Sequence, residues 1–278
     1  MYSKFILNDL EASYFKKCMV EGQQYYEDMS DNIQRELEKF IGIDGTIDGT
    51  KLQEEWFPTN KWAFNIFLSH SHADEQLAIS LAGYLQKEFG LNVFIDSCLW
   101  GYANELLRKI DEKYCLSSDG RHFNYNKRNY STSHIHMMLA NALLRMIDNC
   151  EAVFFLNTEN SISICEEIKK RTASPWIYTE LSMANRISIR PVEYYRKKPS
   201  EKEHHQDEGV TESVSLKIDY HIERELKKFI PLSMHDIQRL KAEWTKSKQE
   251  YEIRKPEWAL DWIYSQKQIN PNENIHRG

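Results

Sequence analysis

The chain has 278 residues, 41% hydrophobic and 28% charged, a balance that suits a folded domain with a sizeable core. With 36 basic against 42 acidic residues the net charge is −6, which excludes a generally basic, nucleic-acid-binding surface. No apolar run approaches the ~20 residues of a membrane span. The opening MYSKFILNDLEASYF has too short an apolar core, and acids too early, for a secretory signal.

Residues 1–60 read as an N-terminal helical extension. Phe15 and Met19, then Ile33, Leu37, Phe40 and Ile41, recur at helical spacing. IDGTIDGT (Ile43 to Thr50) reads as a turn-rich break. From Trp62 the pattern becomes strand–helix alternation over residues 61–195. NIFLS (Asn65 to Ser69) is a short apolar run of the kind buried on both faces. In the helix after it, Leu77, Leu81, Leu85 and Phe89 repeat every four residues. Ser71 with Asp74 forms a predicted capping box and Gly90 a C-cap. NVFID (Asn92 to Asp96) is a second strand, followed by a helix over Ala103 to Tyr114 and a polar loop, Ser117 to Tyr130.

Ile135, Leu139, Ala142, Leu143, Met146 and Ile147 give the next helix an apolar face ending near Asn149, and AVFFL (Ala152 to Leu156) is a third buried strand. Residues 196–213 form a charged, solvated loop. Residues 214–278 then complete the domain, with an edge strand over Val214 to Ile222, a helix begun by Ser233 with Asp236, and a last helix from Glu257 to Tyr264. Crossovers of this length join parallel strands. The expected fold is therefore α/β, a three-layer parallel sheet with helices on both faces.

The five cysteines are an odd number with no CxxC pair, which argues against a disulfide framework and a zinc site and favours a reducing cytoplasm. His70 with His72 and His134 with His136 are each two apart, which does not bring a ligand set together, so no metal is expected. GxSxG, GxGxxG and P-loop motifs are absent, which removes serine hydrolases, Rossmann oxidoreductases and NTPases.

Ligands of an open parallel sheet bind beyond the strands' carboxyl ends. Ser69, His70 and Ser71, then Asp96 and Ser97, then Asn157 and Thr158 fall there. In SPWIYTEL (Ser174 to Leu181), Ser174 is a predicted N-cap and Pro175 the first helical residue, and Ile177, Leu181 and Ala184 make the buried stripe. Trp176 and Glu180, four apart, share a neighbouring face that projects into the same crevice. The N–H groups at the helix start add an anion-friendly dipole. By local sequence alone, Glu180 and Trp176 read equally as solvated surface and core residues.

FLSHSHADEQLAISLAGYLQ, VFIDSCLW, CEAVFFLNTENS and SPWIYTELSMA resemble, in that order, the sequence boxes of Toll/interleukin-receptor (TIR) domains. The resemblance spans Trp62 to Ile189 and is strongest to bacterial antiphage-defence TIR proteins of the Thoeris type. It implies a flavodoxin-like sheet and NAD+ nucleosidase or ADP-ribosyl cyclase activity. NAD+ is then substrate rather than cofactor, and an ADP-ribose-derived messenger goes to a downstream effector.

Trp176 and Glu180 match the family's WxxxE arrangement, so the resemblance makes Glu180 the catalytic residue. Ser69, His70, Ser71, Asp96, Trp100 and Trp176 are the expected substrate-binding residues. The N-terminal helices read as packing on the sheet, with homo-oligomerisation as the alternative. Two other functions stay open, a non-catalytic TIR assembly module and a nucleoside deoxyribosyltransferase-like enzyme.

Overall fold

The computed structural model describes residues 1–31, 37–41, 47–57, 63–117, 121–165, 169–172, 174–196, 220–248 and 255–269. Its strands are β1 (Ser3–Asn8), β2 (Ile66–Ser69), β3 (Val93–Ile95), β4 (Ala152–Leu156), β5 (Ser163–Cys165), β6 (Lys169–Thr172), β7 (Tyr220–His221) and β8 (Ile230–Ser233). Five of them form one all-parallel sheet in the order β3-β2-β4-β1-β8. The runs IFLS and AVFFL are buried at every position, as strands covered on both faces must be. A separate antiparallel ribbon, β5-β6-β7, follows β4.

The helices are α1 (Ala12–Phe15), α2 (Met19–Asp31), α3 (Gly49–Trp56), α4 (Glu75–Phe89), α5 (Ser97–Ile110), α6 (Tyr125–Asn149), α7 (Pro175–Arg186), α8 (Glu223–Leu226), α9 (Met234–Lys248) and α10 (Glu257–Gln266). Neighbouring residues of β1 identify the layers, because successive side chains of a strand point to opposite faces. Lys4 reaches across one face to the Ala184 carbonyl in the last turn of α7, at 3.0 Å, where a cation complements the helix terminus. Phe5 stacks on Tyr264 of α10, centroids 6.1 Å apart, on the other face. Helices α5 and α6 join the α7 layer. Trp244 of α9 meets Phe89 of α4 edge-on, so α4 and α9 join the α10 layer. The architecture is thus the three-layer, flavodoxin-like α/β fold expected from sequence.

The N-terminal segment corrects that expectation. Residues 1–60 are not a helical extension, since β1 occupies an interior slot of the sheet between β4 and β8. A short buried strand and a helical segment carry the same local apolar signal. Asp9, at φ 54°, ends the strand in a left-handed turn that Asp tolerates. The supposed break at IDGTIDGT also differs over its described part, where Asp48 caps α3 by accepting from Lys51 N–H at 3.1 Å. Ile33 lies outside the described residues.

Further along, the helix expected from Ala103 begins at Ser97 and runs on through a wide π turn, Asp111–Cys115. Gly101 sits inside this helix. The strand expected over Val214 to Ile222 is described only at Tyr220–His221, as β7. Arg196, assigned to a solvated loop, pairs with buried Glu151 and with Asp261; residues 197–213 lie outside the described set. Strand β8 was missed because Pro231 interrupts its apolar run, which an edge strand allows. Gly90 does end α4 at φ 72°. Ser233 and Asp236 cap α9 reciprocally, Ser233 N–H donating to Asp236 Oδ2 at 2.8 Å and Asp236 N–H to Ser233 Oγ at 3.3 Å. Among the described residues no helix is long and apolar enough to cross a membrane.

Helix α2 lies against α4 at a glycine crossing. A Cβ on Gly83 would stand 2.5 Å from Gly22 Cα, and one on Gly22 would collide with the Ile79 carbonyl oxygen. Alanine would raise helix propensity by up to about 1 kcal/mol, whereas forcing a methyl into a packed contact costs about 1–3 kcal/mol. The clash involves backbone, so it dominates. Gly22→Ala and Gly83→Ala are each expected to lower Tm by several degrees in a thermal melt, and an unchanged or raised Tm would refute the close crossing.

Candidate functional site

Strands β2 and β3 end at Ser69 and Ile95, and α7 begins beside them. Between these ends lies a cavity of about 410 Å³, lined by Tyr26, His70, His72, Glu75, Asp96, Ser97, Trp100, Gly101, Asn104, Ser174, Trp176, Ile177 and Glu180. That volume falls within the range of small-molecule sites.

Glu180 reaches the cavity because α7 starts where the sequence says it should. Ser174 Oγ accepts from Ile177 N–H at 3.3 Å and Pro175 takes the first helical position. Ile177, Leu181 and Ala184 are buried at 3%, 1% and 0% exposure, so Glu180, one turn past Trp176, is drawn inward. It is only 2% exposed.

Ser69 Oγ donates to Glu180 Oε2 at 2.5 Å. Glu180 Oε1 is buried and has no hydrogen-bond partner among the described residues. Burial and then the Asp96 charge push the Glu180 carboxyl well above the usual carboxylate range, outweighing the lowering by Ser69.

Asp96 is held by His70, whose Nδ1 forms a close ion pair with Asp96 Oδ1 and whose backbone N–H approaches Oδ2 at 3.4 Å. Burial alone would lower the His70 pKa. Asp96, with Glu75 and Asp74 adding to it, more than offsets this and leaves the pKa raised. Nε2 of His70 is buried with no hydrogen-bond partner among the described residues.

Trp100 of α5 and Trp176 of α7 meet edge-to-face, centroids 4.2 Å apart, and His136 of α6 stands edge-on to Trp176 at 5.5 Å. Burial lowers the pKa of His136. The cavity thus has a carboxyl–imidazole floor and an indole wall.

Of the sequence-predicted site residues, His70, Asp96, Trp100, Trp176 and Glu180 line this cavity, and Ser69 stands behind Glu180. Ser71 does not line it. Its hydroxyl caps no helix, and its carbonyl accepts from Asp74 N–H at 2.8 Å. The predicted box also fails at Asp74, whose carboxylate instead receives Thr158 Oγ1 at 2.5 Å and Asn160 Nδ2 at 2.7 Å, tying the loop after β4 to the start of α4.

Sequence reasoning missed Tyr26, Glu75 and Asn104. Tyr26 comes from α2, and its hydroxyl lies 3.3 Å from both Glu75 Oε1 and Ser97 Oγ. Its only local signal was an aromatic on a polar helix. Among the described residues no group of three or more His, Cys, Asp or Glu side chains is arranged to hold a metal ion. Comparison with protein-family models, curated proteins and solved structures found no match to the chain.

A buried carboxyl with a raised pKa is a stability cost at neutral pH. The folded chain holds the Glu180 proton more tightly than the unfolded chain, so its favourable contribution is complete below the ordinary value of 4.5 and is lost as pH rises through the folded pKa. Glu180→Gln keeps the shape without the charge. Its Tm is expected to exceed that of the wild type by several degrees at pH 8, at roughly 2–4 °C per kcal/mol, with the gap closing toward pH 5. A destabilised variant at pH 8 would contradict the buried-carboxyl account.

Proposed function

We propose that this chain cleaves the nicotinamide–ribose bond of NAD+, in the manner of the TIR enzymes its sequence resembles, with Glu180 as the catalytic carboxyl. One observation carries the reading. Glu180 is sunk in the wall of a nucleoside-sized cavity at the sheet's carboxyl rim, hydrogen-bonded to Ser69, close enough to Asp96 for that charge to raise its pKa, and one turn from an indole.

The chemistry asks little else of the protein. The pyridinium nitrogen takes both electrons of the C1′–N bond and leaves as neutral nicotinamide, so no general acid is required, unlike an ordinary glycosidase with its two carboxyls. Positive charge develops on the ribosyl carbon and ring oxygen, where a carboxylate stabilises it electrostatically. Water then adds and a proton is released, giving ADP-ribose, nicotinamide and H⁺. Attack by the substrate's own adenine nitrogen gives a cyclic isomer instead, and another nucleophile gives a conjugate.

Glu180 has its pKa raised by burial and then by the Asp96 charge. A pyridinium cation beside it favours the ionised form, so the substrate itself generates the charge that the ribosyl cation needs. Ser69 holds one carboxylate oxygen, and the His70–Asp96 pair fixes the other carboxyl. Trp100 and Trp176 offer flat apolar surface to the departing ring. The resemblance extends the proposal to a soluble messenger read by an effector in antiphage defence, in the cytoplasm.

Purified protein incubated with NAD+ is expected to release nicotinamide, detected by mass spectrometry, and Glu180→Gln to lose about a hundredfold or more in kcat. Equal turnover by both proteins would remove Glu180 from the mechanism. For the free enzyme, kcat/KM is expected to rise with pH through the raised Glu180 pKa, while kcat turns at lower pH because the bound cation promotes ionisation. If no nicotinamide appears under any condition, the TIR assembly-module reading takes its place.

A further inference from the structure

The charge of the cavity wall specifies more than the bond to be broken. Glu180, Asp96 and Glu75 supply three carboxyl groups, and among the described lining residues none is lysine or arginine. The buried cation facing the cavity, His70, is already committed to Asp96.

The backbone gives phosphate no better welcome. A helix N-terminus is ordinarily a ready anion site, and three of them begin at this rim. Helix α4 has Asp74 immediately before its first residue and Glu75 at that residue. Helix α5 begins directly after Asp96. Helix α7 has Pro175, which carries no N–H, and its Ile177 N–H already bonds Ser174 Oγ. This last point corrects the sequence expectation of an anion-friendly start to α7. Carboxylates or caps occupy the positions where a pyrophosphate would seek donors.

What remains is an acidic floor, with an unsatisfied Glu180 Oε1 on a side chain 2% exposed, under an indole wall. A flat aromatic cation fits both, by charge against carboxylate and by cation–π contact with tryptophan.

We infer that the cavity recognises the N-ribosylpyridinium end of its substrate, as a cation, and leaves phosphate groups outside, so that the substrate class is pyridinium nucleosides whether or not they are phosphorylated. For the simplest member, nicotinamide riboside, the C1′–N bond breaks with its electrons going to the pyridine, water adds to C1′, and the products are nicotinamide, ribose and H⁺. The turnover arm of this inference rests on the glycosidic reading above. The binding arm does not.

The test uses the full chain at pH 8 and fixed ionic strength. In the binding arm, quenching of tryptophan fluorescence measures the affinity for 1-methylnicotinamide, a cation, and for nicotinamide, its neutral relative. The cation is expected to bind at least about tenfold more tightly. Glu180→Gln and, separately, the rim variant Glu75→Gln are expected to shrink that ratio, and millimolar inorganic pyrophosphate is expected not to compete. In the turnover arm, kcat/KM for nicotinamide riboside is expected within about tenfold of that for NAD+.

Equal binding of the cation and its neutral relative overturns the inference, whether or not NAD+ is cleaved. So does competition by pyrophosphate, or cleavage of NAD+ with the riboside inert. Preferential cation binding with no cleavage of either nucleotide or nucleoside supports the cation-selective cavity and removes the glycosidic reading alone.

Discussion

The parallel seam between β1 and β4 is the constraint on which the rest of the molecule depends. Five residue pairs, Ser3 with Ala152 through Leu7 with Leu156, hold it in register. Without β1, the wholly buried AVFFL strand would be a sheet edge presenting unpaired backbone and apolar side chains together, which native sheets avoid. Strand β8 pairs only through β1, so the C-terminal helices are attached to the sheet by the same seam. Its lower end is reinforced at Glu151, whose carbonyl accepts from Tyr2 and Ser3 N–H while its buried carboxylate receives Arg196 and the Tyr264 hydroxyl. A lone buried carboxylate would cost several kcal/mol, and here three donors satisfy it. The N-terminal segment then continues to the glycine crossing on α4, which sets Tyr26 at the mouth of the cavity. The N-terminal segment thus contributes to the site through Tyr26.

Legibility in the sequence followed the strength of local signals. β2, β3, β4 and the starts of α7 and α9 combine short apolar runs with side-chain caps, and each signal points the same way. β1 and β8 carried conflicting signals, one merging into a helical run and the other containing proline. Their places are decided by partners distant in the chain, which no local window contains. For the cavity, the rim rule located Ser69, His70 and Asp96 because each follows a strand directly. Glu180 needed the helix phase as well, and Trp100 came from the resemblance. Tyr26 and Glu75 were out of reach, since Tyr26 enters from α2, ahead of both strands whose ends flank the cavity, and Glu75 resembles any first-turn acid. Ser71 was overread, because adjacency to His70 in sequence does not fix where a side chain turns after a strand ends.

The electrostatics of the rim follow from the same residues that start its helices. Helix N-termini carry partial positive charge that acidic side chains or caps usually answer. In this chain Asp74, Glu75 and Asp96 answer it from positions that also face or flank the cavity. These carboxylates stand at the helix starts without capping them, and their charge gives the cavity its sign and disfavours phosphate there. His70 pairs with Asp96 at contact distance, and the raised pKa of Glu180 makes its proton the adjustable charge of the rim.

That adjustable proton separates a structural role from a chemical one. If Glu180 served only to fill space beside Ser69, glutamine or an aliphatic residue would do so without bringing a second carboxyl against Asp96 in a dry site, where two like charges cannot both persist. Burial first and the Asp96 charge second raise the pKa of Glu180. Pairs of titratable groups forced apart in this way concentrate at sites of chemistry, and a cation in the cavity would favour the ionised form of Glu180. A wall that is least comfortable when empty, and most comfortable against a flat cation, ties the energetics of this fold to the ligand argued for it.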